Sequence, residues 1–507
     1  MRQRNYVPLI IVLGMLALAS TQSAATAALK LSPSAGAPSS NITASGTGFG
    51  ANESVQILFD STNVGTATTS SSGAFTKVVQ VPRTASPGAH TVQATGLTSG
   101  IKVSQTFTVR TDWPTFHINA QHTGLNRTEN VLNSSNVSRL QLKWQGLMGD
   151  LVDFSSPAVV GGVAYIGSTD GLLYAFNADG CGASECSPLW TGATGDSIYS
   201  SPAVANGVVY VGSNSHELLA FKAAGCGAST CQPLWIGTIG GSILQSSPVV
   251  ANGVVYVGSF DNKLYAFSAS GCGVSTCSPL WTAATGDHIE SSPAVANGVV
   301  YVGSNDSKLY AFAAAGCGSA TCNPLWTGAT GSSIFESSPA IANGLVYIGS
   351  FDSFLYAFSA SGCGASSCAP LWKGQTASLF VDSSPAVGNG AVFVGSGDSL
   401  FYAFNATGCG QAICQPIWRG QSSGSQATIA SSPAIANGVV YVGKNTGQIV
   451  AYKVSGCGQS FCMPLWTGST NNEPIVSSSP AVVNGTVYVG SGDQFGGQNR
   501  GRLYVFK

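Results

Sequence analysis

The sequence predicts an all-β protein in which an eight-bladed β-propeller, built from four-stranded antiparallel blades, follows a small β-sandwich. Three observations support this fold class. A unit of 45 to 48 residues recurs eight times from Ser155 onward, and each copy contains several short apolar runs. The 64 glycines indicate many turns. Hydrophobic residues make up 44% and aromatic residues 9% of the 507 residues, which argues against disorder.

A Ser-Pro step marks the start of every unit. In seven of the eight copies, Asn-Gly then separates two apolar runs, as expected for the type I′ turn of an antiparallel pair. A polar turn, a run such as Leu-Tyr-Ala-Phe, a loop bounded by two cysteines and a Trp-containing run complete the unit. A complete unit therefore contains four strands, named A, B, C and D in chain order. The prolines of the Ser-Pro steps are Pro157, Pro202, Pro248, Pro293, Pro339, Pro385, Pro433 and Pro480.

The strand count predicts how the propeller closes. Eight units carry strands A to C, but only seven of them are followed by a strand D, and Lys507 comes directly after the eighth strand C. A sequence equivalent to strand D occurs upstream, at residues 140–146. We therefore expect this N-terminal strand to complete the eighth blade, which leaves no free sheet edge at the junction.

The chain divides into four predicted segments. Residues 1–28 are typical of a cleavable secretory signal peptide, because Arg2 and Arg4 precede an apolar run from Val7 to Ala19. Residues 29–110 alternate in short runs between glycine-containing turns, which predicts the sandwich. Residues 111–139 form a lead-in segment, and residues 140–507 form the propeller. We expect a secreted or cell-surface protein with no transmembrane segment after signal removal.

All 14 cysteines belong to seven Cys-Gly-x-x-x-Cys pairs. In an exported chain, an even set of locally paired cysteines predicts disulfides. Zinc is disfavoured, because a tetrahedral site needs four ligands and pairs about 45 residues apart, in equivalent positions, point away from one another. The predicted disulfides are Cys181–Cys186, Cys226–Cys231, Cys272–Cys277, Cys317–Cys322, Cys363–Cys368, Cys409–Cys414 and Cys457–Cys462.

From Asp112 to Lys507 these repeats resemble the PQQ-like (pyrroloquinoline-quinone) repeat of eight-bladed propellers. That group includes quinoprotein alcohol dehydrogenases and the propeller lipoprotein of the outer-membrane barrel assembly machinery. The resemblance implies that one Trp per strand D docks between neighbouring blades, whereas the cysteine loop departs from the usual short turn. Residues 29–110 resemble bacterial immunoglobulin-like modules, through Leu31-Ser32-Pro33 and residues 46–50. The blade-docking tryptophans are Trp144, Trp190, Trp235, Trp281, Trp326, Trp372, Trp418 and Trp466.

The quinoprotein resemblance implies a quinone, a bound calcium ion, a catalytic Asp and two adjacent cysteines. This chain has no adjacent cysteines, and its blades repeat the consensus where unique acidic and amide residues are expected. The five histidines show no ligand spacing either. We therefore predict no catalytic residue, no cofactor-binding residue and no metal ligand.

In a protein built from nearly identical repeats, a binding site should appear where one repeat differs from the others. Two turns, Asn214 to Glu217 and Lys444 to Gly447, differ from the other copies and are interpreted as turn variants. The eighth unit replaces a short B–C turn with a longer loop of mixed charge, which is the candidate binding loop. Its residues are Asp493, Gln494, Phe495, Gln498, Asn499 and Arg500.

Six B–C turns carry an aspartate in an equivalent position. These carboxylates could attract cations, but aspartate in a turn also bonds its own backbone, and separate blades keep the six side chains apart. The structural interpretation is favoured. The six residues are Asp170, Asp261, Asp306, Asp352, Asp398 and Asp493.

These features predict a non-catalytic binding scaffold for a protein or another cell-envelope component, acting as a monomer. Nucleic acid is excluded as a partner, because 20 basic and 21 acidic residues nearly cancel and no basic run occurs. Two alternatives stay open. One is a PQQ-dependent quinoprotein oxidoreductase, and the other is a glycan-binding lectin.

Overall fold

The computed structural model describes residues 26–377, 382–421, 428–492 and 501–507. Most of the predicted signal peptide and the candidate binding loop, Asp493 to Arg500, lie outside these residues. The described residues divide into two compact units, one formed by residues 26–34, 40–82 and 89–108, and the other by residues 35–39, 83–88 and the described part of 109–507. No helix in the described part is long and apolar enough to cross a membrane.

The first unit contains two sheets. One has the strand order β1-β3-β6, and the other contains the order β8-β7-β4-β5. Its core follows from strict alternation, as in β4, where Val55, Ile57 and Phe59 are buried. Its immunoglobulin-like class stays a prediction. The strands are β1 (Ala28–Ser32), β3 (Asn41–Thr47), β4 (Ser54–Phe59), β5 (Thr62–Thr68), β6 (Phe75–Gln80), β7 (Gly88–Gly96) and β8 (Lys102–Val109), while β2 (Ala35–Gly36) belongs to the second unit.

The second unit contains the eight repeats, preceded by β9 (Leu125–Asn126), a short 3-10 turn (Val137–Arg139) and β10 (Leu142–Leu147). The A strands are β11 (Ala158–Val160), β16 (Ala203–Ala205), β21 (Val249–Ala251), β26 (Ala294–Ala296), β31 (Ala340–Ala342), β36 (Ala386–Gly388), β41 (Ala434–Ala436) and β46 (Ala481–Val483). The B strands are β12 (Val163–Gly167), β17 (Val208–Ser213), β22 (Val254–Ser259), β27 (Val299–Ser304), β32 (Leu345–Gly349), β37 (Ala391–Gly395), β42 (Val439–Lys444) and β47 (Thr486–Gly492). The C strands are β13 (Leu172–Asn177), β18 (Glu217–Lys222), β23 (Lys263–Ser268), β28 (Lys308–Ala313), β33 (Phe354–Ser359), β38 (Phe401–Asn405), β43 (Gln448–Lys453) and β48 (Gly501–Phe506).

The D strands are β15 (Trp190–Ala193), β20 (Trp235–Thr238), β25 (Trp281–Ala284), β30 (Trp326–Ala329), β35 (Trp372–Gln375), β40 (Trp418–Gly420) and β45 (Trp466–Ser469), with β10 in the same position of the eighth sheet. Each cysteine loop adds a two-residue strand that the sequence did not predict. These loop strands are β14 (Glu185–Cys186), β19 (Thr230–Cys231), β24 (Thr276–Cys277), β29 (Thr321–Cys322), β34 (Ser367–Cys368), β39 (Ile413–Cys414) and β44 (Phe461–Cys462).

The predicted fold class needs correction. Four-stranded antiparallel blades are wrong, because each repeat sheet has five strands and is mixed. Strands A to D are antiparallel, but in the first six repeats the loop strand of the following repeat pairs in parallel with strand D, as β19 does with β15. Every such repeat therefore shares a strand with its neighbour. The repeats succeed one another as a β-solenoid of about eight turns, in place of the predicted closed propeller of separate blades.

The eighth sheet joins the two ends of the second unit. β10 lies antiparallel to β48, and the loop strand β14 of the first repeat pairs in parallel with β10. Tyr488 also donates its hydroxyl hydrogen to the carbonyl of Ala178, at 2.9 Å. The eighth turn is therefore bonded directly to the first.

The hydrophobic core lies between successive sheets. Trp235, for example, lies 6.0 Å from Tyr210 of its own repeat and 6.3 Å from Phe267 of the next, measured between ring centroids. Gly271 of the next cysteine loop has a φ of 74°, and a Cβ placed there would lie 2.7 Å from the indole ring. Glycine is therefore required for this loop to approach the tryptophan.

Candidate functional site

A framework of serine hydroxyls holds the start of every strand A. The first serine of each Ser-Ser-Pro step accepts a hydrogen bond from a glycine N–H of strand B, as Ser246 does from Gly258 at 2.8 Å. The second serine donates its backbone N–H to the hydroxyl of the equivalent serine in the next repeat, at 2.8 to 3.0 Å. These second serines are Ser156, Ser201, Ser247, Ser292, Ser338, Ser384, Ser432 and Ser479, and Ser479 donates to Ser156.

The residue before this serine pair changes from repeat to repeat. The eight residues are Phe154, Tyr199, Gln245, Glu290, Glu336, Asp382, Ala430 and Ser477. Six of them, all except Tyr199 and Glu290, line one cavity of about 30 Å³ together with Phe116 and second serines of the framework. Three successive repeats place a carboxylate at this position. This position is not among the site residues predicted from the sequence, although the aligned repeats show it as a position that changes chemical class.

Burial dominates the electrostatics of these carboxyl groups. Desolvation, followed by repulsion from Asp382, raises the pKa of Glu336 to about 8. The hydroxyl of Ser477 donates a hydrogen bond to Glu336 at 3.2 Å. Desolvation and repulsion from Glu290 raise the pKa of Asp382 to about 6, and desolvation also raises the pKa of Glu290. Glu336 and Asp382 therefore give the cavity wall less negative charge near neutral pH than two ordinary carboxylates would.

Residues 111–126 of the lead-in segment bond to all eight A strands or the turns beside them. Most of these bonds use the backbone of the segment, such as Val204 N–H to Pro114 at 2.7 Å and Ile341 N–H to Gln121 at 2.8 Å. The side chain of Asn126 donates to the carbonyl of Val482 at 2.9 Å. The other contacts are Trp113 with Val159, Thr115 with Pro248, Ala120 with Val295, Thr123 with Val387 and Gly124 with Ile435.

Phe116 of this segment lines the cavity and stacks on His117, with ring centroids 4.4 Å apart. His117 and His122 are buried, and their rings lie 6.4 Å apart. Desolvation lowers the pKa of His117 to about 4 and that of His122 to about 3, so both rings are neutral at physiological pH. The segment therefore contributes the apolar ring of Phe116 to the cavity lining and holds two uncharged histidines close to it.

The residues around this cavity do not fit a quinone and its metal ion. A cavity of about 30 Å³ has room for about two water molecules, whereas sites for small organic ligands span roughly 300 Å³ or more. The carboxylate of Asp382, which is largely ionised near neutral pH because its pKa is about 6, would also repel an anionic cofactor. Within the described ranges, no group of three or more His, Cys, Asp or Glu side chains is placed to hold a metal ion.

The turn aspartates serve the packing of neighbouring repeats. Asp261 accepts a hydrogen bond from the hydroxyl of Tyr265 at 2.5 Å, and this hydroxyl accepts another from the N–H of Gly240 in the preceding D–A connection. The second and seventh repeats lack both members of the pair, since Leu219 and Val450 replace the tyrosine. The same pair occurs as Asp170–Tyr174, Asp306–Tyr310, Asp352–Tyr356 and Asp398–Tyr402, while Asp493 lies outside the described residues.

The other residues singled out from the sequence lie on the outer part of the sheets. The seven predicted disulfides are present, with Cα–Cα distances of 5.6 to 5.7 Å. All eight D-strand tryptophans are buried. Their role in docking successive repeats stays a prediction. The contacts of Trp235 with Tyr210 and Phe267 are an example of the packing it describes.

Exposed apolar side chains also lie on these outer strands. One leucine or isoleucine directly before the tryptophan is more than half exposed in six repeats, from Leu189 at 55% to Ile417 at 56%. The residue before the second cysteine is polar in the first five loops but becomes Ile413 and then Phe461. Phe461 is 47% exposed and Met463 is 64% exposed. At the two positions next to the second cysteine, large apolar residues therefore occur only in the last two loops, although Val274 inside the third loop is 65% exposed.

The repeated strands, the D-strand tryptophans and the serine framework define a PQQ-like repeat protein with β-propeller-like repeats. The chain belongs to the PQQ_2 family, described as outer membrane protein assembly factor BamB. The family profile matches residues 227–362 and 319–503, which together are more than half of the chain. Among curated proteins, no sequence matches this chain.

Solved structures show the same fold. BamB from Moraxella catarrhalis is 16% identical, with a TM-score of 0.52 over 72% of this chain and 97% of that chain. The quinohemoprotein alcohol dehydrogenase from Comamonas testosteroni is 14% identical, with a TM-score of 0.59 over 78% of this chain and 80% of that chain. A europium-containing methanol dehydrogenase is 13% identical, with a TM-score of 0.56 over 78% and 98%. At these identities the similarity shows the fold alone.

Proposed function

We propose that this chain is an exported, non-catalytic scaffold that binds a protein partner in the cell envelope. The observation that carries the proposal is the apolar exposure of Phe461 and Met463, because the first five cysteine loops place polar or small residues at the same two positions. Exposed apolar patches on a folded protein are typical of protein interfaces. Membership of a family described as an assembly factor and the seven disulfides, which suit an extracytoplasmic protein, support the same function.

The quinoprotein alternative is disfavoured by the size and charge of the cavity. A reconstitution experiment tests it directly. The purified protein is titrated with PQQ and calcium, and cofactor absorbance and dye reduction with alcohols or sugars are recorded. We expect no turnover, and saturable cofactor binding with dye reduction would overturn the proposal.

The binding surface is tested by variants that keep the fold. We expect the double variant Phe461→Ser/Met463→Ser to lose an envelope protein that the wild-type chain captures after crosslinking. The matched control is Leu234→Ser, since Leu234 is 53% exposed on an outer strand of the second repeat. Equal capture by the wild type and the double variant would exclude this surface.

A further inference from the structure

One D strand in the described structure lacks the loop strand that the other seven have. The loop strands β14, β19, β24, β29, β34, β39 and β44 pair in parallel with β10, β15, β20, β25, β30, β35 and β40. The seventh sheet has the order β45-β43-β42-β41-β9, so β45 is its outer edge. Its extra strand is β9, at the opposite edge beside β41.

The difference is visible in a single backbone hydrogen bond. The residue after each D-strand tryptophan donates its N–H to a loop carbonyl, as Thr282 does to Ala320 at 2.8 Å. The equivalent residue of β45 is Thr467, whose N–H points to the same side and has no partner among the described residues. The six other donors are Gln145, Thr191, Ile236, Thr327, Lys373 and Arg419, with distances of 2.8 to 2.9 Å.

Exposure agrees with this missing bond. The residue after the tryptophan is buried or half-buried in β15, β20, β25, β30, β35 and β40, but Thr467 is exposed. Residues 137–140 pack nearby, since the indole nitrogen of Trp466 donates to the carbonyl of Leu140 at 3.0 Å. This contact satisfies the tryptophan side chain and leaves the backbone of β45 open.

We propose that the free edge of β45 binds an extended segment of a partner protein, which runs parallel to β45 as the seven loop strands do to theirs. Addition of a strand to an open sheet edge is a common mode of peptide recognition. The seven internal pairs show which backbone geometry this type of edge accepts. The proposal rests on the proposed function, because it names the chemistry by which the scaffold holds its partner.

A cavity close to the start of β45 gives the partner segment a place for an apolar side chain. Met463 and Leu465, which precede β45, line a cavity of about 290 Å³ together with the Cys457–Cys462 loop. Alternate side chains of an added strand point to the same side, so backbone bonding and side-chain insertion can occur together. The expected partner segment is therefore extended, with an apolar residue close to the one that accepts the Thr467 N–H.

A pair of variants separates backbone recognition from side-chain effects. Thr467→Pro removes the N–H, and proline is tolerated on an edge strand where no ladder bond is lost. Thr467→Val keeps the N–H and removes only the hydroxyl. The variants are compared only where their thermal stability matches that of the wild-type protein. We then expect Thr467→Pro to weaken partner capture at least about fivefold and Thr467→Val to leave it nearly unchanged. Equal capture by both variants would overturn the edge proposal.

A tethered strand provides a second readout that needs no identified partner. Residues 314–323, which contain the Cys317–Cys322 loop, are appended after Lys507, where they can reach the edge at high effective concentration. We expect the Thr467 amide to exchange with deuterium at least about fivefold more slowly in the fusion and partner capture to fall. An unchanged exchange rate would overturn the proposal.

The outcomes also separate this inference from the proposed function. If Phe461→Ser/Met463→Ser abolishes capture while Thr467→Pro does not, the scaffold function stands and the edge proposal fails. If dye reduction is found, the function fails whatever the edge variants do. If Thr467→Pro instead abolishes a concentration-dependent dimer, the occupant is a second copy of this chain, and the inferred partner protein is wrong.

Discussion

The two edges of each repeat sheet differ in what changes from one repeat to the next. At the end of strand A, a constant framework of serine hydroxyls carries one variable side chain per repeat, and this position becomes acidic at Glu290, Glu336 and Asp382. At the end of strand D, seven equivalent backbone pairs are followed by one that is missing, at Thr467. The cavity therefore differs from the rest of the repeats in its side chains, whereas the edge at β45 differs from the other D-strand edges in its unpaired backbone N–H.

The first prediction compares two neighbouring residues at the start of a strand D, one packed between repeats and one exposed to solvent. Trp235 is 5% exposed, whereas its neighbour Leu234 is 53% exposed. Trp235→Ala should lower the free energy of unfolding by about 3 to 5 kcal/mol, because it leaves a cavity between two repeats. Leu234→Ala should change it by less than about 0.5 kcal/mol. Urea unfolding of both variants measures the difference, and similar losses would contradict the assignment.

The second prediction compares a covered edge with the open one. Thr282→Pro removes the N–H that bonds to Ala320 and should lower the free energy of unfolding by about 1 to 3 kcal/mol. Thr467→Pro removes an N–H with no partner and should cost less than about 0.5 kcal/mol. Thr282→Val and Thr467→Val serve as controls that keep both donors. A cost at Thr467 equal to that at Thr282 would mean that its N–H is already bonded.

Much of the difference between these two edges could not be predicted from the sequence. The order of strands A to D and the disulfides followed from local signals, namely the Asn-Gly turns and cysteines five residues apart. The loop strands did not, because a two-residue segment such as Thr230–Cys231 has no periodicity and is fixed by the N–H of Thr191 in the preceding repeat. Glu336 and Asp382 come from different repeats, so only the path of the whole chain brings them to one cavity.

The last prediction concerns the buried carboxyl groups that line the cavity. The pKa of Glu336 rises from an ordinary value of 4.5 to about 8 on folding, so the unfolded chain releases this proton at a lower pH than the folded protein does. The contribution of Glu336 to the stability of the wild-type protein should therefore fall as pH increases from about 4.5 through about 8. Glu336→Gln should gain about 1 kcal/mol or more relative to wild type at pH 8, and little at pH 4. Urea unfolding at both pH values, with the exposed Glu185→Gln as control, measures this effect, and a pH-independent difference would show that Glu336 ionises normally.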